Sequence, residues 1–192
     1  MRRRDFLGTV GSAVAWAGMA SARESSGVAG LANGDPTGPK QASVHVKGDV
    51  ITIHTHTQSA VIERGFLVSL ISNQTGEEFI RDVDVKQDAV LQLIYRQNEV
   101  VPIDESKFGK VLTRRLSPLK AEILFHSWDG DGVVSVSADP LSGDILVEPS
   151  AYSSRAGVLA CRWNVTGLRS DLQLVAPFFQ GIKLPLEDAL IA

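Results

Sequence analysis

Apolar and polar residues alternate along this chain in short runs from Ser43 onward. In residues 50–57, Ile51 and Ile53 fall on one face, with His54 and His56 together on the other. Residues 65–72 form a second run, and Asn73, Gln74, Thr75 and Gly76 read as a turn. Residues 90–96 place Leu91, Leu93 and Tyr95 on one side. The cleanest run is 119–126: Leu119, Ala121, Ile123 and Phe125 point one way, Lys120, Glu122 and His126 the other. Asp129, Gly130, Asp131 and Gly132 signal a turn, and further runs follow at 133–138, 144–148 and 157–165. A period of two, interrupted by Gly, Asp, Asn and Pro, marks half-buried strands. The stretch around residues 129–132 predicts a hairpin. No segment after residue 22 keeps a helical period for three turns. The expectation is an all-β fold, an antiparallel β-sandwich over residues 43–192. No internal repeat points to a propeller or a solenoid.

The N-terminus follows a different rule. Arg2, Arg3 and Arg4 precede an uncharged run of 14 residues, 7–20, and Ala20, Ser21 and Ala22 supply a small-x-small cleavage pattern. This is the layout of a secretory signal. The run is shorter than the roughly 20 residues of a membrane-spanning helix. Gly8, Gly11 and Gly18 weaken it further as an anchor. Arg3, Arg4, Phe6 and Leu7 resemble the twin-arginine export address, which a receptor reads. Arg2 stands where that motif usually carries Ser or Thr. Residues 1–22 are therefore expected to be a cleaved signal helix. Residues 23–42, rich in Ser, Gly, Asn and Pro, are expected to be a disordered linker. The mature chain is expected outside the cytoplasm, periplasmic or extracellular.

Composition narrows the partners. Without residues 1–22 the chain keeps 170 residues, enough for one domain with a core of its own. It then carries 16 basic and 21 acidic residues, a net charge of −5. That balance argues against a nucleic-acid partner, which requires a clustered positive surface. No second long apolar run suggests a membrane span. Cys161 is the sole cysteine, so no intramolecular disulfide can form. It lies in an alternating strand pattern and is expected to be a buried, inert thiol.

The candidate chemistry is sparse. Trp128 beside Asp129 is the best sugar-contact pair: the ring offers a flat apolar face and the carboxylate accepts hydroxyl protons. Asp131 joins them as a ligand-contact candidate. Asp129 and Asp131 are read first as turn residues. A calcium loop is the lesser reading, because Val133 stands where an EF-hand needs a further ligand. His54 and His56 share a strand face and suit a metal only if His45 or His126 joins them. A solvated sheet face is preferred. Trp163 alternates with Cys161 and Leu159 and reads as core. Phe178 and Phe179 read as a loop packed over the sandwich. No nucleophile elbow or phosphate loop occurs after residue 22. No catalytic residue, metal or cofactor is expected.

Two stretches carry a resemblance. Residues 72–78 run Ser72, Asn73, Gln74, Thr75, Gly76, Glu77, Glu78 after a strand. Residues 159–168 run from Leu159 through Cys161, Trp163 and Gly167 to Leu168, ahead of Leu174, Pro177, Phe178 and Gly181. Their order and spacing resemble the N-terminal galactose-mutarotase-like sandwich of multidomain bacterial glycoside hydrolases, over roughly residues 43–190. The resemblance implies a non-catalytic, carbohydrate-associated domain that meets a polysaccharide or oligosaccharide. It also implies packing against a catalytic barrel that this chain lacks, so that the sandwich would be truncated or incomplete. The alternative expectation is an exported structural or protein-interaction β-sandwich module.

Overall fold

The structure is a computed structural model that describes residues 42–81, 83–84, 88–176 and 182–185. The export segment with Arg3, Arg4, Phe6 and Leu7 lies outside the described residues. So do residues 23–41 of the linker, Phe178 and Phe179.

The first sheet is a meander of four strands: β1 (Ser43–Lys47), β2 (Val50–His54), β3 (Gln58–Glu63) and β4 (Phe66–Ser72). Alternation in β2 buries Ile51 and Ile53, as the pattern predicts. The β3–β4 connection is two residues, Arg64 and Gly65, both with positive φ (49° and 95°). Such turns match the twist of the strands they join. The chain then enters β5 (Ala89–Tyr95), turns through a short 3-10 segment at Arg96–Asn98, and returns as β6 (Val100–Asp104).

A second meander follows, with β7 (Lys110–Ser117), β8 (Lys120–Trp128), β9 (Gly130–Ala138) and β10 (Ile145–Ser153). Strand β11 (Val158–Trp163) leaves this sheet and pairs antiparallel with β5, giving a third sheet in the order β11-β5-β6. A two-stranded ladder, β12 (Gln173–Ala176) with β13 (Ile182–Pro185), completes the described chain. The described residues are all-β, every ladder is antiparallel, and the sheets pack as a sandwich. No helix among them is long and apolar enough to cross a membrane.

Inward-facing side chains of all three large sheets meet in one core. Phe125 of β8 is fully buried, and its ring sits against the Gly65 backbone and Val90 of β5. Phe108 meets that ring edge-on at 5.2 Å. Leu91 of β5 packs on Gly132 of β9. The second sheet therefore faces both the first and the third. Full burial of one such side chain stabilises by roughly 1.5–3 kcal/mol.

Polar contacts then fix the layers against each other. The Trp163 indole donates to the Gly65 carbonyl at 2.8 Å, joining third sheet to first. The Val44 N–H donates to the Pro118 carbonyl at 2.7 Å, joining first to second. The carbonyl of Gly143, in the β9–β10 turn, accepts from the Thr55, Thr57 and Gln58 side chains of the β2–β3 turn.

The structure departs from the sequence pattern in three places. Asp131 and Gly132 belong to β9, so the turn after β8 is confined to Asp129. Strand β2 ends at His54, so His54 and His56 do not share a strand face. Leu159 does not join Trp163 in the core, because a register shift between Val158 and Ala160 turns it outward, 58% exposed.

A candidate ligand cleft beside Trp128 and Asp129

The β8–β9 turn is shaped by an irregularity. Regular pairing of β8 with β9 holds as far as Phe125, then shifts before Trp128 pairs with Gly130. Within the shift, Ser127 takes a left-handed backbone (φ 67°). Bulges of this kind re-aim the side chains that follow. Here Trp128 turns its ring onto the edge of the core, while Asp129 stands at the tip. Gly130 is required at the next position, since a Cβ there would collide with the Tyr152 carbonyl and the Trp128 ring.

Trp128 and Asp129 line a cleft of about 230 Å³ with Leu93 and Tyr95 of β5, Val101 and Ile103 of β6, Lys107 and Ser153. Both apolar and polar side chains line it. The Tyr95 hydroxyl donates to Ser153 Oγ at 3.0 Å. Asp129 accepts from Ser154 Oγ, and Ser153 Oγ lies at 3.5 Å from its other carboxylate oxygen. The Ser154 N–H donates to the Asp129 carbonyl at 3.0 Å. The turn after β10 is thus tied to the turn after β8. Lys107 extends its ammonium toward the Pro102 carbonyl and lies 3.7 Å from Asp104.

One donor is left over. Trp128 Nε1 is buried and has no hydrogen-bond acceptor among the described residues. A buried N–H without a partner costs about 1–3 kcal/mol. This N–H is enclosed by the fold, so what Trp128 offers the cleft is the face or edge of its ring.

Arg155 lies against Tyr95, outside the lining residues. Its guanidinium donates to both carboxylate oxygens of Glu99 and lies 4.2 Å from the centroid of the Tyr95 ring. The Arg155 hydrogen bond holds the Glu99 carboxyl below its ordinary value. Gln97 and Asn98, between Tyr95 and Glu99, both have positive φ (63° and 60°).

The three ligand-contact candidates are therefore divided. Trp128 and Asp129 stand together in the cleft wall. Asp131 does not line it; Asp131 sits on the outward face of β9, 2.8 Å from His126 Nδ1. Asp129 is the single carboxylate among the lining residues, whereas glycoside hydrolysis uses two flanking one bond. What the cleft offers is an aromatic ring, a carboxylate, hydroxyls and an ammonium, groups that bind and orient a polar ligand.

Other candidates are accounted for by local contacts. His54 Nδ1 bonds Ser59 Oγ at 3.0 Å. The described residues contain no group of three or more His, Cys, Asp or Glu placed to hold a metal ion. Cys161 is partly buried on β11, and loss of water pushes its thiol up to about 11. That keeps it protonated and unreactive at neutral pH.

Tyr95, Lys107 and Ser153 were not singled out from sequence. Tyr95 reads there as one more inward strand residue, and its role follows from β11 and the β10 end closing around it. The fold and cleft define a class, an antiparallel β-sandwich with a small aromatic-walled cleft at one rim. Compared with known proteins, the chain matches no protein-family model, no curated protein and no solved structure.

Proposed function

We propose that this protein is an exported, carbohydrate-associated β-sandwich that binds a sugar unit of a polysaccharide or oligosaccharide in the Trp128–Asp129 cleft. It acts by binding rather than by chemistry of its own. The observation that carries the proposal is the pairing of the Trp128 ring with the Asp129 carboxylate in the wall of one cleft. A sugar ring has apolar C–H faces for an aromatic side chain and hydroxyls for a carboxylate. A volume of about 230 Å³ is below the roughly 300–1,000 Å³ of drug-sized pockets, which suits a terminal or single ring. In a multidomain setting the same sandwich would present this sugar to a separate catalytic partner.

The test is binding to a panel of soluble glycans (β-glucan, xylan, galactan and chitin oligosaccharides), read by affinity electrophoresis and tryptophan emission. Retention by at least one glycan is expected. Trp128→Ala, which removes the ring, should weaken it about fivefold or more. No retention and no emission change across the panel would sink the proposal. Export is tested separately. Arg3→Lys with Arg4→Lys should hold the precursor in the cytoplasm, and the exported form should begin at Arg23. A mature protein retaining residues 1–22 would exclude the signal.

A further inference from the structure

The second sheet has an open edge with an unusual pattern. Strand β7 pairs with β8 on one side; on the other it pairs with no described strand, although the Ser117 carbonyl accepts from Arg115 Nε at 3.0 Å. β1 reaches the same corner, but its hydrogen bond goes to Pro118, past the end of the strand. Open edges are templates for a further strand.

The outward face of β7 alternates in chemistry. Leu112 lies across from Leu124, and Arg114 lies across from Glu122. Leu112 and Leu116 are 43% and 47% exposed. Arg114 between them bonds Glu122 through Nε and Nη2 at 3.0 and 2.7 Å and remains largely exposed. Lys110 and Arg115 have no carboxylate partner among the described residues, and β7 carries no acidic residue. The edge is locally basic on a chain whose net charge is −3.

Charged residues on an edge often serve only to repel another strand. Two exposed leucines flanking the central arginine work against that purpose. A strand added beside β7 would set its own side chains opposite Leu112 and Arg114, with the exposed Leu116 close by at the register shift between Arg115 and Ser117, and there apolar pairs and opposite charges stabilise. We propose that the β7 edge is a docking site for an extended protein segment whose residues alternate apolar, acidic, apolar, taken up by strand addition. The site is separate from the Trp128 cleft, and neither proposal depends on the other.

The experiment uses the purified chain and short fluorescent peptides in which valine, glutamate and valine alternate with threonine. A control peptide has lysine in place of glutamate. Backbone hydrogen exchange is followed with and without peptide. The expected result is slowed exchange across Lys110–Ser117, with the lysine peptide and the Arg114→Gln variant each binding about threefold to fivefold more weakly. Equal binding of both peptides, or no change in β7 exchange, would overturn the proposal. So would concentration-dependent dimerisation that protects the same amides without peptide, since the edge would then belong to a second copy. Exchange on the unsubstituted chain keeps the test valid if Arg114→Gln fails to fold.

Discussion

The guanidinium of Arg155 stacks 4.2 Å from the centre of the Tyr95 ring while holding Glu99 with both arms. Tyr95 in turn donates to Ser153, in the wall of the cleft. The two residues differ in setting: Tyr95 is buried in the core, whereas Arg155 is exposed and covers one face of its ring. Tyr95→Phe should cost about 1 kcal/mol of stability, the worth of one buried hydrogen bond. Arg155→Ala should leave the urea midpoint nearly unchanged and instead weaken glycan binding. Urea unfolding and affinity electrophoresis on both variants separate these effects.

Glu78 gives the fold an acid sensitivity. Burial works against its charge, but the Ser69 hydroxyl and the Leu70 and Ile80 N–H groups all donate to it and hold its carboxyl below the ordinary value. A carboxyl lowered in the folded state adds stability above its unfolded value near 4.3, and loses that contribution as pH falls through the folded value. Stability should therefore drop below about pH 4. Glu78→Gln should be less stable at neutral pH and show a flatter acid limb, measured by urea midpoints across that range.

Gly65 tolerates no side chain. Its φ is 95°, and an added Cβ would stand 2.5 Å from Phe125 Cζ and 2.7 Å from Val90 Cγ2. Gly65→Ala should destabilise by about 2–3 kcal/mol through overpacking and backbone strain. A lowered Tm by calorimetry checks this; an unchanged Tm would mean that the Phe125 ring can move aside.

Cys161 should resist alkylation. With its thiol pushed up to about 11, the thiolate fraction near pH 8 is roughly 200-fold below that of an ordinary cysteine near 8.5. Iodoacetamide should label the unfolded chain readily and the native chain slowly, as mass spectrometry would report.

How much of this could be read from the sequence depended on burial. Strand β8 was plain because Ala121, Ile123 and Phe125 all face the core while Lys120, Glu122 and Leu124 do not. β7 was not, because an edge strand buries little, and Leu112 and Leu116 face outward, where polar residues are expected. Leu159 was assigned to the wrong face because a register shift reverses every position beyond it. In the cleft, Trp128 and Asp129 were legible by chemical type and adjacency. Their partnership with Tyr95 and Ser153 was not, since it arises only when β5 and the end of β10 come together. Asp131 was grouped with Asp129 by proximity in sequence, but alternation along β9 turns it to the outer face.

The Gly143 carbonyl, gripped by three side chains from the β2–β3 turn, divides the hairpin tips into two kinds. At Gly48 and Gly76 an added side chain would meet open space; those tips are ends, and a graft or a tag can be spliced there with the layers undisturbed. The tip at Gly143 is a joint. Lengthening it would remove one of the fastenings between the first meander and the second, so this protein offers a protein engineer fewer usable surfaces than its number of turns suggests.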